Sequence, residues 1–233
     1  MYILNFAIHT TYGVHDMRKV PAISILLTIY NTNFSLVKRA IDSVFNQDFK
    51  DFELILIDDG STNQYHHLLK PHFKEHEDKI TYLRHNNCGQ SKSINRGVKN
   101  SNSTYITILD ADDEFKPNHL SACLNEMQHA DLIASTTETI VENEEDYFVP
   151  DKFNNNHKIH VDECILFATL FGKREVFANL DFQDMYAADA HFFEAASKNY
   201  TVKKVDLRTY IYYRNNPNSI CSQLKKQISI NLS

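Results

Sequence analysis

The chain has no tryptophan, and its 233 residues include only five glycines, five prolines and four cysteines. The glycine shortage excludes most. Gly13, Gly60, Gly89, Gly97 and Gly172 never fall in G-x-G-x-x-G or G-x4-G-K spacing, so neither a dinucleotide-binding fingerprint nor a Walker A loop is present. A G-x-S-x-G elbow is also missing, which sets aside that class of hydrolase. Any phosphate bound here must be held in another way. Cys88, Cys123, Cys164 and Cys221 contain no C-x-x-C metal or redox pair and read as buried thiols in a reducing compartment. No apolar run reaches the ~18 residues of a membrane span. Met1 to Ile8 is apolar but lacks the basic flank of a secretory signal. Lys+Arg 24 against Asp+Glu 30 gives a net charge of −6 without a cationic stripe, so nucleic acid is not an expected partner.

What is present suits a globule with its own core: 42% apolar and 23% charged residues. Ile23 to Ile29 is a continuous, β-branched apolar run, the pattern of a strand buried on both faces. Val37, Ala40, Ile41, Val44 and Phe45 then recur at helical spacing over Phe34 to Phe45. Strands are expected at Phe52 to Ile57, Ile80 to Leu83, Tyr105 to Leu109 and Leu132 to Ser135. Helices are expected from after Ser61 to about His76, over Gln90 to Lys99, and from Pro117 to about Gln128. This alternation over residues 21–137 predicts an α/β fold, a mostly parallel, doubly wound sheet with helices on both faces. Such sheets bind ligands at the carboxyl ends of their strands. The second half is less regular. Lys173 to Leu180 and Ala187 to Lys198 read as helices, and Val202 to Val205 and Thr209 to Tyr213 as strands. Residues 1–20 read as a lead-in and 222–233 as a tail.

Two acidic clusters end apolar strands. Asp110, Asp112 and Asp113 lie within four residues and repel one another unless a cation sits between them. Hard divalent ions take one or two carboxylates plus substrate phosphates. A polar turn is the plainer reading, since Asp is favoured where strands stop. Asp58 and Asp59 end a neighbouring strand, with Ser61 as a helix cap. Asp189 shares a helix face with Phe192 and Phe193, where desolvation would raise its pKa and suit it to general-base work. The competing, weaker reading is a first-turn residue favoured by the helix dipole. His72 to His76 matches H-x-x-E-H, but its polar surroundings favour a solvated face over a zinc site. Tyr210, Tyr212 and Tyr213 read as packing, and Arg214 as the partner of a phosphate or a core carboxylate.

The series Leu26-Leu27-Thr28-Ile29-Tyr30-Asn31, Ile57-Asp58-Asp59-Gly60-Ser61 and Leu109-Asp110-Ala111-Asp112-Asp113, with Asn95-Arg96-Gly97 between, resembles the inverting family 2 glycosyltransferases of the GT-A fold. The likeness covers about residues 22–221 and is tighter before residue 140. It implies that Thr28 and Tyr30 border the nucleotide base and that Asp59, with Asp58 beside it, meets a uracil-like edge. It further implies that Asp110 and Ala111 approach the ribose, that Asp112 binds a divalent metal (Mn²⁺ or Mg²⁺), and that Asp189 is the catalytic base. Three departures stand out. Asn216 occupies the place of a family histidine, Ala188 precedes Asp189 where relatives carry an acid, and the tryptophan of the processive Q-x-x-R-W signature is absent.

The expectation is one GT-A domain, with a nucleotide-sugar half at 21–137 and a smaller, mixed acceptor and catalytic-base half at 138–221. It would move one sugar from a nucleotide-diphospho-sugar, UDP-sugar first, to a saccharide or lipid-linked glycan. The expected setting is cytoplasmic, compatible with peripheral association at the inner membrane face. The rival readings are a phosphoacceptor signalling domain of doubly wound fold and a nucleotide-binding relative without turnover.

Overall fold

A computed structural model of the chain describes residues 2–4, 20–63, 66–151 and 157–215. Its elements in chain order are β1 (Tyr2–Leu4), β2 (Ile23–Ile29), α1 (Phe34–Phe45), β3 (Phe52–Asp58), α2 (His66–Glu75), β4 (Ile80–Arg84), α3 (Gln90–Asn100) and β5 (Tyr105–Asp110). Then follow β6 (Glu114–Phe115), α4 (His119–Glu126), β7 (Leu132–Ile140), β8 (Phe148–Pro150), β9 (Lys158–His160), β10 (Leu170–Lys173), α5 (Arg174–Asn179), α6 (Ala188–Ser197) and β11 (Val202–Tyr213). Among the described residues, no helix is long and apolar enough to cross a membrane.

One sheet runs through both halves in the order β1-β4-β3-β2-β5-β10-β7-β11-β6. Strands β4, β3, β2 and β5 are parallel; β10 enters antiparallel to both β5 and β7, so the mixed part begins there. β2 shows why two helix layers form. Ile23, Ile25, Leu27 and Ile29 pack with Val37, Ile41 and Val44 of α1, Leu69 of α2 and Leu120 of α4. Leu26 packs on the other side with Ile94 and Val98 of α3 and Phe177 of α5. A period of two thus sends alternate residues into separate cores, and the unbroken apolar run is what a sheet covered on both faces requires.

Several elements differ from the sequence reading. The lead-in contributes β1, which pairs antiparallel with β4. β7 continues to Ile140 because β11 runs beside it along its whole length. The two strands expected after residue 201 are one strand whose register shifts between Val205 and Tyr210, where Arg208 adopts φ 48°. α4 starts at His119, two residues past Pro117, with Asn118 as its N-cap. Cys123 is buried as expected, but Cys88 and Cys164 are partly exposed, since both lie in loops. His76 lies just beyond α2 and stacks on Phe45, ring centroids 3.7 Å apart. The tail, Asn216, Cys221 and the Asn154–Asn156 run lie outside the described residues.

The Asn95-Arg96-Gly97 motif is a packing device. Asn95 bonds the Phe182 backbone through both amide atoms, each at 2.9 Å, and so ties α3 to the segment leading into α6. Gly97 lets α3 settle on the sheet: a Cβ there would lie 2.9 Å from Ile57 Cδ1 and 3.1 Å from Leu26 Cδ2. Gly97→Ala is expected to cost about 1–3 kcal/mol, the usual range for overpacking, read as a lower midpoint in urea unfolding.

Candidate active site

The parallel strands bring the motifs into one row. Thr28 of β2 lies in register with Asp110 of β5, and Ile29 with Asp58 of β3. β3 and β4 extend the sheet from one side of β2 while β5 lies on the other, so strand order reverses between β2 and β5. A crevice opens at such a switch point. Thr28 and Asp110, both half-buried, flank it, and Tyr30 stands at its mouth with 52% of its surface exposed.

The Asp58-Asp59-Gly60-Ser61 turn forms the wall beyond Tyr30. Asp58 is buried, and its carboxylate accepts bonds from Ser61 N–H (2.7 Å) and the Tyr82 hydroxyl (2.5 Å), with Arg84 Nε 3.2 Å away. Asp59 is likewise buried. Its oxygens accept from Cys88 N–H (2.8 Å), Gly89 N–H (2.9 Å) and Asn87 Nδ2 (2.9 Å), so it holds the loop that opens α3. Gly60 is required there: its φ is +81°, and a Cβ would stand 2.6 Å from Asn87 N. Asn31, also at positive φ (52°), fastens this wall to β2. Its N–H donates to Ser61 Oγ (3.0 Å) and its side chain accepts from Thr62 N–H (2.8 Å).

The Asp110–Asp113 turn separates its acids by role. Asp113 points inward, accepting from the Tyr210 hydroxyl and Tyr213 N–H, both at 2.8 Å. The Tyr210 hydroxyl in turn accepts from Asp110 N–H at 3.2 Å, so β11 clamps the turn from behind. Ala111 is buried in the core, and Asp112 is half-buried, its carbonyl bonded by Arg39 of α1. Arg39 also lies over the Tyr213 ring, 3.8 Å from its centroid. Asp110 Oδ1 accepts from Gln90 Nε2 of α3 at 2.7 Å.

Asp189 approaches from the other half. Ala187 takes a left-handed backbone (φ 53°), uncommon for a residue with a side chain, and starts α6 so that Asp189 falls in its first turn. Phe167 N–H (3.2 Å) and Ala190 N–H (2.8 Å) hold the carboxylate. Burial pushes its pKa up against those bonds.

Asp110 lies within electrostatic reach of both other acids. Burial first, then Asp112, then Asp189, push Asp110 up to about 7, and burial with Asp110 and Asp112 pushes Asp113 well above the carboxylate range. Mutual repulsion of this kind suits a hard divalent ion on Asp110 and Asp112, while Asp113 is engaged by β11. It also has a consequence for stability. An unfolded Asp ionises near 4, so between about pH 4 and 7 the native state holds the extra proton, and stability falls as pH rises. Asp110→Asn is expected to stabilise the cation-free chain by an amount that grows over that window, on the order of a few kcal/mol at pH 8. Thermal melts of both proteins from pH 4 to 8, with and without Mg²⁺, check this; Mg²⁺ should shrink the difference.

Among the described residues, Arg214, 8% exposed, leaves Nε and Nη1 without a hydrogen-bond partner. Of its two sequence readings, a core carboxylate therefore does not engage those atoms. Arg39, Gln90 and Tyr210 support the acidic turn with no local sequence signal of that role. Gln90 directly follows Gly89, and only chain reversal in space links it to Asp110.

The chain matches the family model for glycosyl transferase family 2 over residues 24–181. It is 31% identical over 112 residues to a chondroitin synthase of Escherichia coli, covering 48% of this chain and 16% of that protein. The chain thus matches about a sixth of the length of the first curated relatives. Its fold resembles Staphylococcus aureus TarS in complex with UDP-GlcNAc (TM-score 0.64, 17% identity, 82% of this chain and 58% of that one). It also resembles the mannosyltransferase PcManGT of Pyrobaculum calidifontis in complex with GDP-Man and Mn²⁺ (TM-score 0.65, 17% identity, 82% and 56%). These neighbours show the GT-A architecture of the sheet. The family match takes in every acidic strand end described above, and the chain belongs to glycosyl transferase family 2.

Proposed function

We propose that this chain transfers one sugar, with inversion, from a nucleotide-diphospho-sugar to a hydroxyl of a glycan or glycolipid. The observation that carries the reading is electrostatic: Asp110, on the donor strand, feels both Asp112 and Asp189. This influence of a further carboxylate, itself raised by burial, on the acidic motif supports a shared site. Displacing a nucleoside diphosphate needs charge neutralised on the leaving oxygen and a proton removed from the incoming hydroxyl. Asp110 and Asp112 would hold Mn²⁺ or Mg²⁺, which supplies Lewis-acid stabilisation of the diphosphate. Asp189 takes the acceptor proton. A single carboxylate then suffices, where glycoside hydrolysis uses two.

In this reading the Tyr30 ring stacks on the base and Thr28 lines the pocket beside it. Asp59 sets the Asn87–Gly89 loop against the base edge, with Asp58 fixing the wall behind, and the backbone at Asp110 and Ala111 meets the ribose. Met185 and Tyr186, both more than half exposed immediately before α6, form the acceptor platform. Residues 21–137 act as the donor half and 138–221 as the acceptor half. UDP-sugar is the donor class put first, supported by the UDP-GlcNAc complex of the TarS neighbour. GDP-Man and Mn²⁺ in PcManGT make GDP the next to test. A lipid-linked acceptor would bring the protein to the inner face of the membrane, and without the processive tryptophan each encounter transfers one sugar.

Thermal melts with UDP, dTDP, GDP and CDP, each with Mn²⁺, Mg²⁺ or EDTA, test the donor class by mass action. A shift with UDP that EDTA removes is expected. No shift with any nucleotide at millimolar concentration would overturn the reading.

A further inference from the structure

Behind the base-side wall lies a second group of ligating atoms, apart from the acidic turn. Asp59, His85 and Cys88 bring a carboxylate oxygen, a ring nitrogen and a thiol sulfur within 4.8 Å of one another. His85 Nδ1 stands 3.4 Å from Asp59 Oδ1 and 3.4 Å from Cys88 Sγ. Zn²⁺ bonds of about 2.0–2.3 Å at tetrahedral angles give ligand edges of roughly 3.3–3.6 Å, and both edges that meet at His85 Nδ1 match them. We propose that Asp59, His85 and Cys88 form a binding site for a thiophilic divalent cation of the zinc class, distinct from the hard-ion site on Asp110 and Asp112.

The surroundings are those of a built site. Asp59 Oδ1 takes one bond from Cys88 N–H, and Oδ2 takes the Asn87 and Gly89 donors, which orients the carboxylate and leaves Oδ1 able to ligate. His85 Nε2 lies 3.3 Å from Ser93 Oγ, the outer-shell contact that fixes which ring nitrogen faces the ion. The Asn86 carbonyl oxygen lies 2.8 Å from Nδ1, a contact the ion would displace, with water completing the coordination. His85 and Asp59 side chains are each almost fully buried, while Cys88 is partly exposed and gives the ion its entry path. Thiolate and imidazole select zinc-class ions, whereas carboxylates alone select Mg²⁺ or Mn²⁺. Binding releases the thiol proton and any proton on Nδ1. Because Gln90 follows this loop and holds Asp110, an ion here stiffens the start of α3 on the donor side.

The test is Co²⁺ titration of the EDTA-dialysed full chain, in excess Mg²⁺, followed by the near-ultraviolet thiolate-to-cobalt band. One equivalent with that band is expected in the native chain, in Asp112→Asn and in Cys164→Ser. Cys88→Ser should lose the band while keeping its melting temperature without metal. Ser93→Ala should weaken binding by about 10- to 100-fold. Absence of the band from the native chain, or its survival in Cys88→Ser, would overturn the proposal. None of these readouts depends on sugar transfer, so they stand or fall separately from the proposed activity.

Discussion

Replacing Asp189 by asparagine is expected to lower kcat by about 10²- to 10⁴-fold, the range in which a positioned general base contributes, while donor binding changes little. Asparagine keeps the shape, and its single amide oxygen can still accept from one of the two donors, Phe167 N–H or Ala190 N–H, so α6 is retained at the cost of one hydrogen bond. It cannot take a proton. Steady-state kinetics beside nucleotide-induced thermal shifts separate the two effects; unchanged turnover would remove Asp189 from the chemistry. The pH profile gives an independent check. Burial raises the Asp189 pKa, and only the ionised form works as base, so the acidic limb of kcat should lie above the ordinary carboxylate range. Rate rises with pH through that limb, and the limb should vanish in the variant.

Asp112→Asn is expected to give the other large loss. A divalent ion at a developing diphosphate supplies several kcal/mol, and about 1.4 kcal/mol is a tenfold change in rate, so transfer should drop by roughly a thousandfold. The nucleotide-induced thermal shift should at the same time become indifferent to EDTA. Melting of the ligand-free variant should stay close to that of the native chain, because the turn is held by Asp113 through Tyr210 and Tyr213 and by Arg39 on the Asp112 carbonyl. Asp113→Asn makes the contrast. One amide oxygen cannot accept from both the Tyr210 hydroxyl and Tyr213 N–H, so one inward donor loses its partner and stability should fall first, seen as a lower urea midpoint with or without metal.

Residues close in sequence disclosed much of the fold. Ile23–Ile29 and Phe34–Phe45 match the elements read from periodicity, because a covered parallel strand and an amphipathic helix each announce themselves through local apolar spacing. The acidic strand ends followed from the same logic, since a parallel sheet presents its carboxyl ends on one edge. Where local pattern was weak, the reading fell short. β1 and the far end of β7 are strands only because a partner strand lies beside them, and β11 is continuous across a register shift that looks like a break in one dimension.

The sequence by itself determined the α/β alternation, the two acidic clusters and the family they belong to, because each depends on residues within one turn or one strand. Tertiary structure alone decided which acids face the crevice. Asp58, Asp59 and Asp113 differ from Asp110 and Asp112 in their partners, not in their residue type. Those partners, Tyr82, the 85–89 loop and β11, arrive from distant points of the chain. A buried carboxylate goes where donors already point, since leaving it unpaired costs far more than any local preference contributes. That balance is struck only when the whole sheet has closed around it.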